Sequence, residues 1–171
     1  MIVSLEKINE QEAFYDFNIE PENVLLDDEF AKLTTVVNIS GLLSKKEENI
    51  RFLGKLRTSI SLICDRCLAE TEEDFLIEID ERFVDKSIDT LAIEKEIIEE
   101  DLNISVLESN SLDFSEVARE QLLLQLATHF VCQKNCQGLC QTCKANKNIE
   151  DCNCNQKEID PRWSALKKLI K

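Results

Sequence analysis

No stretch of this chain approaches the ~20 consecutive apolar residues that a membrane-spanning helix requires. Its opening residues, MIVSLEKINEQEAF, lack the basic segment and following apolar run of an export signal. Both absences predict a soluble, cytoplasmic protein with no membrane partner. Glycine is nearly missing: the three in 171 residues stand apart at Gly41, Gly54 and Gly138. There is accordingly no phosphate loop, no dinucleotide fingerprint and no nucleophile elbow. The single histidine, His129, has the chemistry of a ligand or a base, but a hydrogen-bonded or exposed structural ring is the expectation. The chain is therefore predicted not to be an enzyme and to take no small-molecule substrate.

Positive charge is also scarce, with 20 Lys and Arg against 34 Asp and Glu and a formal charge of −14. Much of it gathers at one end. Residues 132–171 hold eight basic and four acidic residues, a net of +4, leaving twelve against thirty, a net of −18, on residues 1–131. Such an acidic body repels phosphate backbones. The length allows one ordinary domain with its own core plus a small appended module. We divide it into residues 1–131, an acidic β-rich body with one helix, and residues 132–171, a cysteine-rich module with a basic C-terminal helix.

Cysteine, by contrast, is plentiful. Six of the eight fall between Cys132 and Cys154, in CQKNCQGLCQTCKANKNIEDCNC, and the other two form the upstream pair CDRC, Cys64 and Cys67. A C-x2-C turn points two thiolates at one ion, and four sulfurs at tetrahedral corners make the closed site that structural zinc prefers. Cys140-x2-Cys143 with Cys152-x-Cys154 supplies a local quartet. That leaves Cys132-x3-Cys136 to meet the distant Cys64-x2-Cys67. The prediction is one or two structural zinc ions per chain. Disulfides are the competing reading, disfavoured in a reducing compartment. An iron–sulfur cluster also uses four cysteines, and spacing alone does not exclude it. Redox cycling by CDRC is the remaining rival, but its flanks do not supply the helix N-terminus that would lower a thiol pKa.

Alternating patterns place strands over Ile2–Ile8, Glu12–Ile19, Thr34–Leu43, Ile50–Cys64 and Phe75–Val84, with an edge strand over Ile97–Leu107. Over Ile50–Cys64 the alternation is clean: Ile50, Phe52, Leu56, Thr58, Ile60, Leu62 and Cys64 share a face. Gly54 within that run predicts a bulge or bend, and SKKEEN at Ser44–Asn49 a polar hairpin loop. Pro21 and Asn23 mark a turn, and Val24–Leu33 reads as loop or short helix. Asp113 and Glu116 have the spacing of a capping box, opening a helix whose buried side takes Phe114, Val117, Ala118, Leu122, Leu124 and Leu126. Asp160-Pro161 opens a second helix, with Trp163, Leu166, Leu169 and Ile170 on one face. The fold class is α+β: an antiparallel β meander or partly closed barrel, with a helix feeding a C-terminal zinc-ribbon-like module and a terminal helix.

These residues, in this order, resemble the YceD family, the large ribosomal RNA subunit accumulation proteins of bacteria and plastids. The resemblance is carried by Gly41 and Gly54, Cys64-Asp65-Arg66-Cys67-Leu68, Leu112-Asp113 and Arg119-Glu120. Its most specific part is Asn135-Cys136-Gln137-Gly138-Leu139-Cys140 with Cys143, Ala145-Asn146, Asn148 and Cys152-Asn153-Cys154, closed by Asp160-Pro161-Arg162 and Leu166. The chain departs from the family pattern at Ala127, Phe130 and Gln141, where prolines are usual, and at Lys144, where glycine is. A glycine there takes positive φ freely, whereas Lys bears a modest strain. Some family members lack the C-terminal cysteines, which implies that a metal braces the fold rather than carrying the shared activity.

The resemblance implies a part in accumulation or processing of large-subunit (23S) ribosomal RNA, hence in ribosome biogenesis, without supplying catalytic residues. Lys134, Lys144, Lys147, Arg162, Lys167, Lys168 and Lys171 are the candidate phosphate contacts. The other reading makes the acidic body an interaction module that holds a basic ribosomal protein or assembly factor, with no direct RNA contact.

Overall fold

A computed structural model of the chain describes residues 1–5, 8, 12–46, 49–85, 104–107 and 109–154. Eight strands and one helix are found there: β1 (Ile2–Ser4), β2 (Ala13–Ile19), β3 (Ala31–Leu33), β4 (Val37–Lys46), β5 (Asn49–Ile63), β6 (Glu70–Asp85), β7 (Ile104–Leu107), β8 (Ser111–Asp113) and α1 (Phe114–Gln125). The main sheet has the order β2-β4-β5-β6-β7, and β3 also pairs with β5. A separate ribbon joins β1 to β8.

β5 is the axis of the sheet. Its even-numbered residues Ile50, Phe52, Leu56, Thr58, Ile60 and Leu62 are buried, while Arg51, Leu53, Lys55 and Arg57 are exposed, as period-two geometry demands. It pairs with β6 without interruption from Ile50↔Phe83 to Ile63↔Glu70. On its other side β4 covers Asn49 to Arg57 and β3 covers Ile60 to Leu62. Between those two ladders Thr35 stands in for the missing backbone acceptor, taking a hydrogen bond from Ser59 N to its Oγ1 at 2.8 Å.

Phe114, the first residue of α1, fixes the helix on the sheet. Its ring lies 5.1 Å from Phe52, edge-on, and 5.0 Å from Phe17, contacts of the kind that contribute about 0.5–1.5 kcal/mol each beyond area burial. Val117, Ala118 and Leu122 follow it into the core. On the inward row of β6, Glu81 interrupts the apolar series. It is buried, and Ser105 Oγ and Gln121 Nε2 donate to its two carboxylate oxygens.

Several expectations need correction. The described strands do not close a barrel: β2 and β7 are the two ends of the sheet. The sheet is not a pure antiparallel meander either, since β7 runs parallel to β6. Of the loop or short helix expected over Val24–Leu33, the loop is found as far as Phe30, and β3 then takes Ala31–Leu33. Gly54 makes no bulge, for its register is unbroken on both sides. Its true constraint is space, because a methyl there would lie 2.5 Å from Ser40 O and 2.6 Å from the Phe52 ring. Its partner Gly41 is tighter still, with Leu53 O at 2.4 Å. Only part of the capping box forms, with Asp113 accepting from Ser115 N at 2.9 Å. Leu124, placed on the buried side, is 77% exposed. SKKEEN shrinks to a two-residue connection, because β4 continues to Lys46 and β5 begins at Asn49. The predicted terminal helix lies outside the described residues.

Candidate metal centres

β5 runs straight into Cys64, and α1 leads through residues 126–131 to Cys132. Asp65 ties the two ends together: its N–H donates to Phe130 O at 2.9 Å, and its Oδ2 accepts from Phe130 N at 3.1 Å. Four sulfurs converge here, from Cys64, Cys67, Cys132 and Cys136, all within 4.8 Å of one another. A second quartet, Cys140, Cys143, Cys152 and Cys154, meets the same limit. The structure thus groups the eight cysteines as their spacing grouped them, and all eight are free thiols.

Two of the half-sites are the same turn used twice. In Cys64–Ala69 and in Cys140–Ala145 the first cysteine's N–H donates to the alanine carbonyl, at 2.9 and 2.8 Å. In both, the residue after the second cysteine donates to the first cysteine's carbonyl at 2.9 Å. That residue is left-handed in each case, Leu68 at φ 57° and Lys144 at φ 62°. The strain expected at Lys144 is present, and its N–H closes the turn on the Cys140 carbonyl. The sequence signal for this repeat, C-x2-C-x-Ala, occurs in CDRCLA and CQTCKA.

The first quartet is enclosed. Cys64, Cys67 and Cys136 are 0, 4 and 5% exposed and pack with Ala69, Val131 and Leu139. Cys64 Sγ lies 3.8 Å from Cys136 Sγ, and Cys67 Sγ 3.6 Å from Cys132 Sγ. A metal–sulfur bond of about 2.3 Å places tetrahedral corners about 3.8 Å apart, so the spacing fits one ion. Asn148 Nδ2 donates to Cys136 Sγ at 3.3 Å while its Oδ1 accepts from Gln137 N at 2.8 Å. Arg66 Nη1 donates to Cys136 O at 3.2 Å, and Arg66 O accepts from Leu139 N at 3.1 Å. Gly138, at φ 70°, keeps that approach open, since a methyl there would sit 2.9 Å from Arg66 O.

The thiols are driven apart in acidity. Burial pushes Cys64 up, but the N–H groups of Cys132, Cys67 and Arg66 outweigh it and bring the thiol down to about 6. Burial and the neighbouring sulfurs of Cys67, Cys64 and Cys136 push Cys132 up to about 12. In the second quartet the N–H groups of Cys143 and Thr142 bring Cys140 down to about 6. The Cys143 sulfur and then burial push Cys154 up to about 12. Each set therefore carries one anionic sulfur beside one that keeps its proton, since thiolates at this range repel. A bound dication is what would allow all four to ionise.

The second quartet is more open: Cys140 is buried, Cys143 exposed, Cys152 and Cys154 half-buried. Lys134 and Lys144 are exposed and Lys147 half-buried. Arg162, Lys167, Lys168 and Lys171 lie outside the described residues. His129 joins neither quartet; its side chain is 88% exposed and its Nδ1 sits 3.2 Å from Asp65 Oδ2. Asn148 and Arg66 are the functional side chains that spacing did not single out as supports, because hydrogen bonds to a sulfur or its carbonyl leave no period in a sequence.

A model of one protein family, described as large ribosomal RNA subunit accumulation protein YceD, matches residues 52–170, a span that takes in both quartets. The chain belongs to the YceD family. It is 29% identical over 153 residues to the chloroplastic YCED homolog 1 of Arabidopsis thaliana, covering 77% of this chain and 48% of that protein. Against the chloroplastic YCED homolog 1 of Zea mays it is 29% identical over 157 residues, covering 78% and 54%. The chain thus spans about half the length of these curated relatives. No solved structure matches it. Among the described residues no helix is long and apolar enough to cross a membrane.

Proposed function

We propose that this YceD-family chain is a non-catalytic factor in the accumulation or processing of large-subunit (23S) ribosomal RNA, braced by a structural zinc ion in each cysteine quartet. The family match over residues 52–170 carries the reading. Its site supports it: residues 132–149 contain three lysines and no carboxylate, against a net charge of −18 on residues 1–131. Precursor RNA would then meet the module through Lys134, Lys144 and Lys147, together with Arg162, Lys167, Lys168 and Lys171. Ultraviolet crosslinking of the tagged protein in cells, followed by sequencing of attached RNA, is the test. Enrichment of large-subunit precursor supports the proposal, and a background profile sinks it. Elemental analysis of protein purified without added metal should give two zinc ions per chain.

The acidic body favours a second reading, in which it holds a basic ribosomal protein or assembly factor. Opposite charge speeds such encounters and salt weakens them. Partners that survive nuclease treatment of a low-salt pull-down favour this alternative; their loss with nuclease favours RNA.

A further inference from the structure

The two quartets start from the same turn, yet the protein encloses them differently. The first joins residues 64–67 to residues 132–136, segments separated by β6, β7, β8 and α1. Cys64, Cys67 and Cys136 are buried and Cys132 is half-buried, with Ala69, Val131 and Leu139 packed against them, so full access to this quartet requires parting the body. The second draws all four sulfurs from residues 140–154. Beyond Cys140 that span has no buried residue at all: every position from 141 to 154 is exposed or half-buried. Besides the quartet, it is held by a few backbone bonds, such as Lys147 N to Gly138 O at 3.0 Å, and by the Asn148 amide. A segment with so little buried surface opens locally at low cost, and one of its ligand residues, Cys143, is already exposed.

We infer that the second quartet is an exchangeable site for a thiophilic divalent cation, whose occupancy sets whether residues 141–154 are ordered, while the first quartet is a permanent staple. This rests on reading both quartets as metal sites. Where folding of so small a segment depends on ligation, the metal's binding energy is the segment's folding energy. Lys144 and Lys147 lie on the same segment, so the supply of metal would govern how much of the basic surface is presented.

The test uses the full chain loaded with zinc and checked for two ions by elemental analysis, then mixed with an excess of a chromophoric chelator. One equivalent is expected to transfer at least ten-fold faster than the other. Cys143→Ser should abolish the fast equivalent and retain one slow one. Isotope-coded alkylation of the unmodified chain, quenched after the fast phase, should label Cys140, Cys143, Cys152 and Cys154 ahead of the other four. Hydrogen exchange at that point should show residues 141–154 deprotected and β5–β6 unchanged. Equal rates, first labelling at Cys64, Cys67, Cys132 or Cys136, or deprotection spreading into β5–β6 overturns the inference while leaving two metal sites standing. A chain that binds fewer than two ions before chelator is added overturns the metal reading itself.

Discussion

Left-handed backbone costs a residue with a Cβ roughly 1–2 kcal/mol, yet both turns place one there, at Leu68 and Lys144. The conformation is retained because it brings an N–H onto the first cysteine's carbonyl. Replacing Lys144 with glycine should relieve the strain and raise the stability of the metal-loaded module by about 0.5–1 kcal/mol, read by chemical denaturation. The glycines of the sheet work in the opposite sense. Gly54→Ala has no room on either side, and overpacking of this kind costs about 1–3 kcal/mol; a variant with an unchanged urea midpoint would refute the close-approach argument. Asn148 lies between Cys143 and Cys152 in the chain but donates to Cys136 of the first quartet. Asn148→Ala should weaken zinc at the first quartet by about ten-fold or more, measured by chelator competition.

Among the elements, β5 and β6 were readable because alternation over a long run leaves one physical solution. β3 was not, being three residues long and preceded by acidic loop. Nor does period two encode direction, which is why β7 was expected as an edge strand but its parallel pairing was not. The quartets are legible from spacing, and the shared turn is marked by the alanine two residues after each C-x2-C pair. Their difference in burial is a property of the body's packing and appears nowhere in the spacing. That difference predicts unequal damage. Cys67→Ser should lower the global unfolding midpoint followed by circular dichroism, whereas Cys143→Ser should leave it nearly unchanged. Acid should strip both sites, since ligating thiols must lose their protons. Above about 6, Cys64 and Cys140 are already ionised in the metal-free chain, so fewer protons are displaced on binding. Below it they are protonated too, and metal affinity should fall more steeply as the pH drops further.

At the scale of the whole molecule, charge decides what can approach and from which side. An acidic body joined to an acid-free stretch from 132 to 149 makes that stretch the more favourable side for a phosphate backbone. If precursor RNA binds there, log affinity should fall linearly with log salt. Replacing Lys134, Lys144 and Lys147 with glutamine should then reduce the slope by roughly one per lost contact, and an unchanged slope would remove these lysines from the interface. The first quartet also takes ligands from both sides of residue 131, so the body and the cysteine-rich region share one structural joint. That joint has a consequence for biosynthesis. Cys67 and its partner Cys132 are 65 residues apart, and elongation proceeds at about 5–20 residues per second. For several seconds of each round of translation the upstream pair therefore leaves the ribosome with two unmatched thiols, and the sheet's end stays unlatched until the rest of the polypeptide arrives.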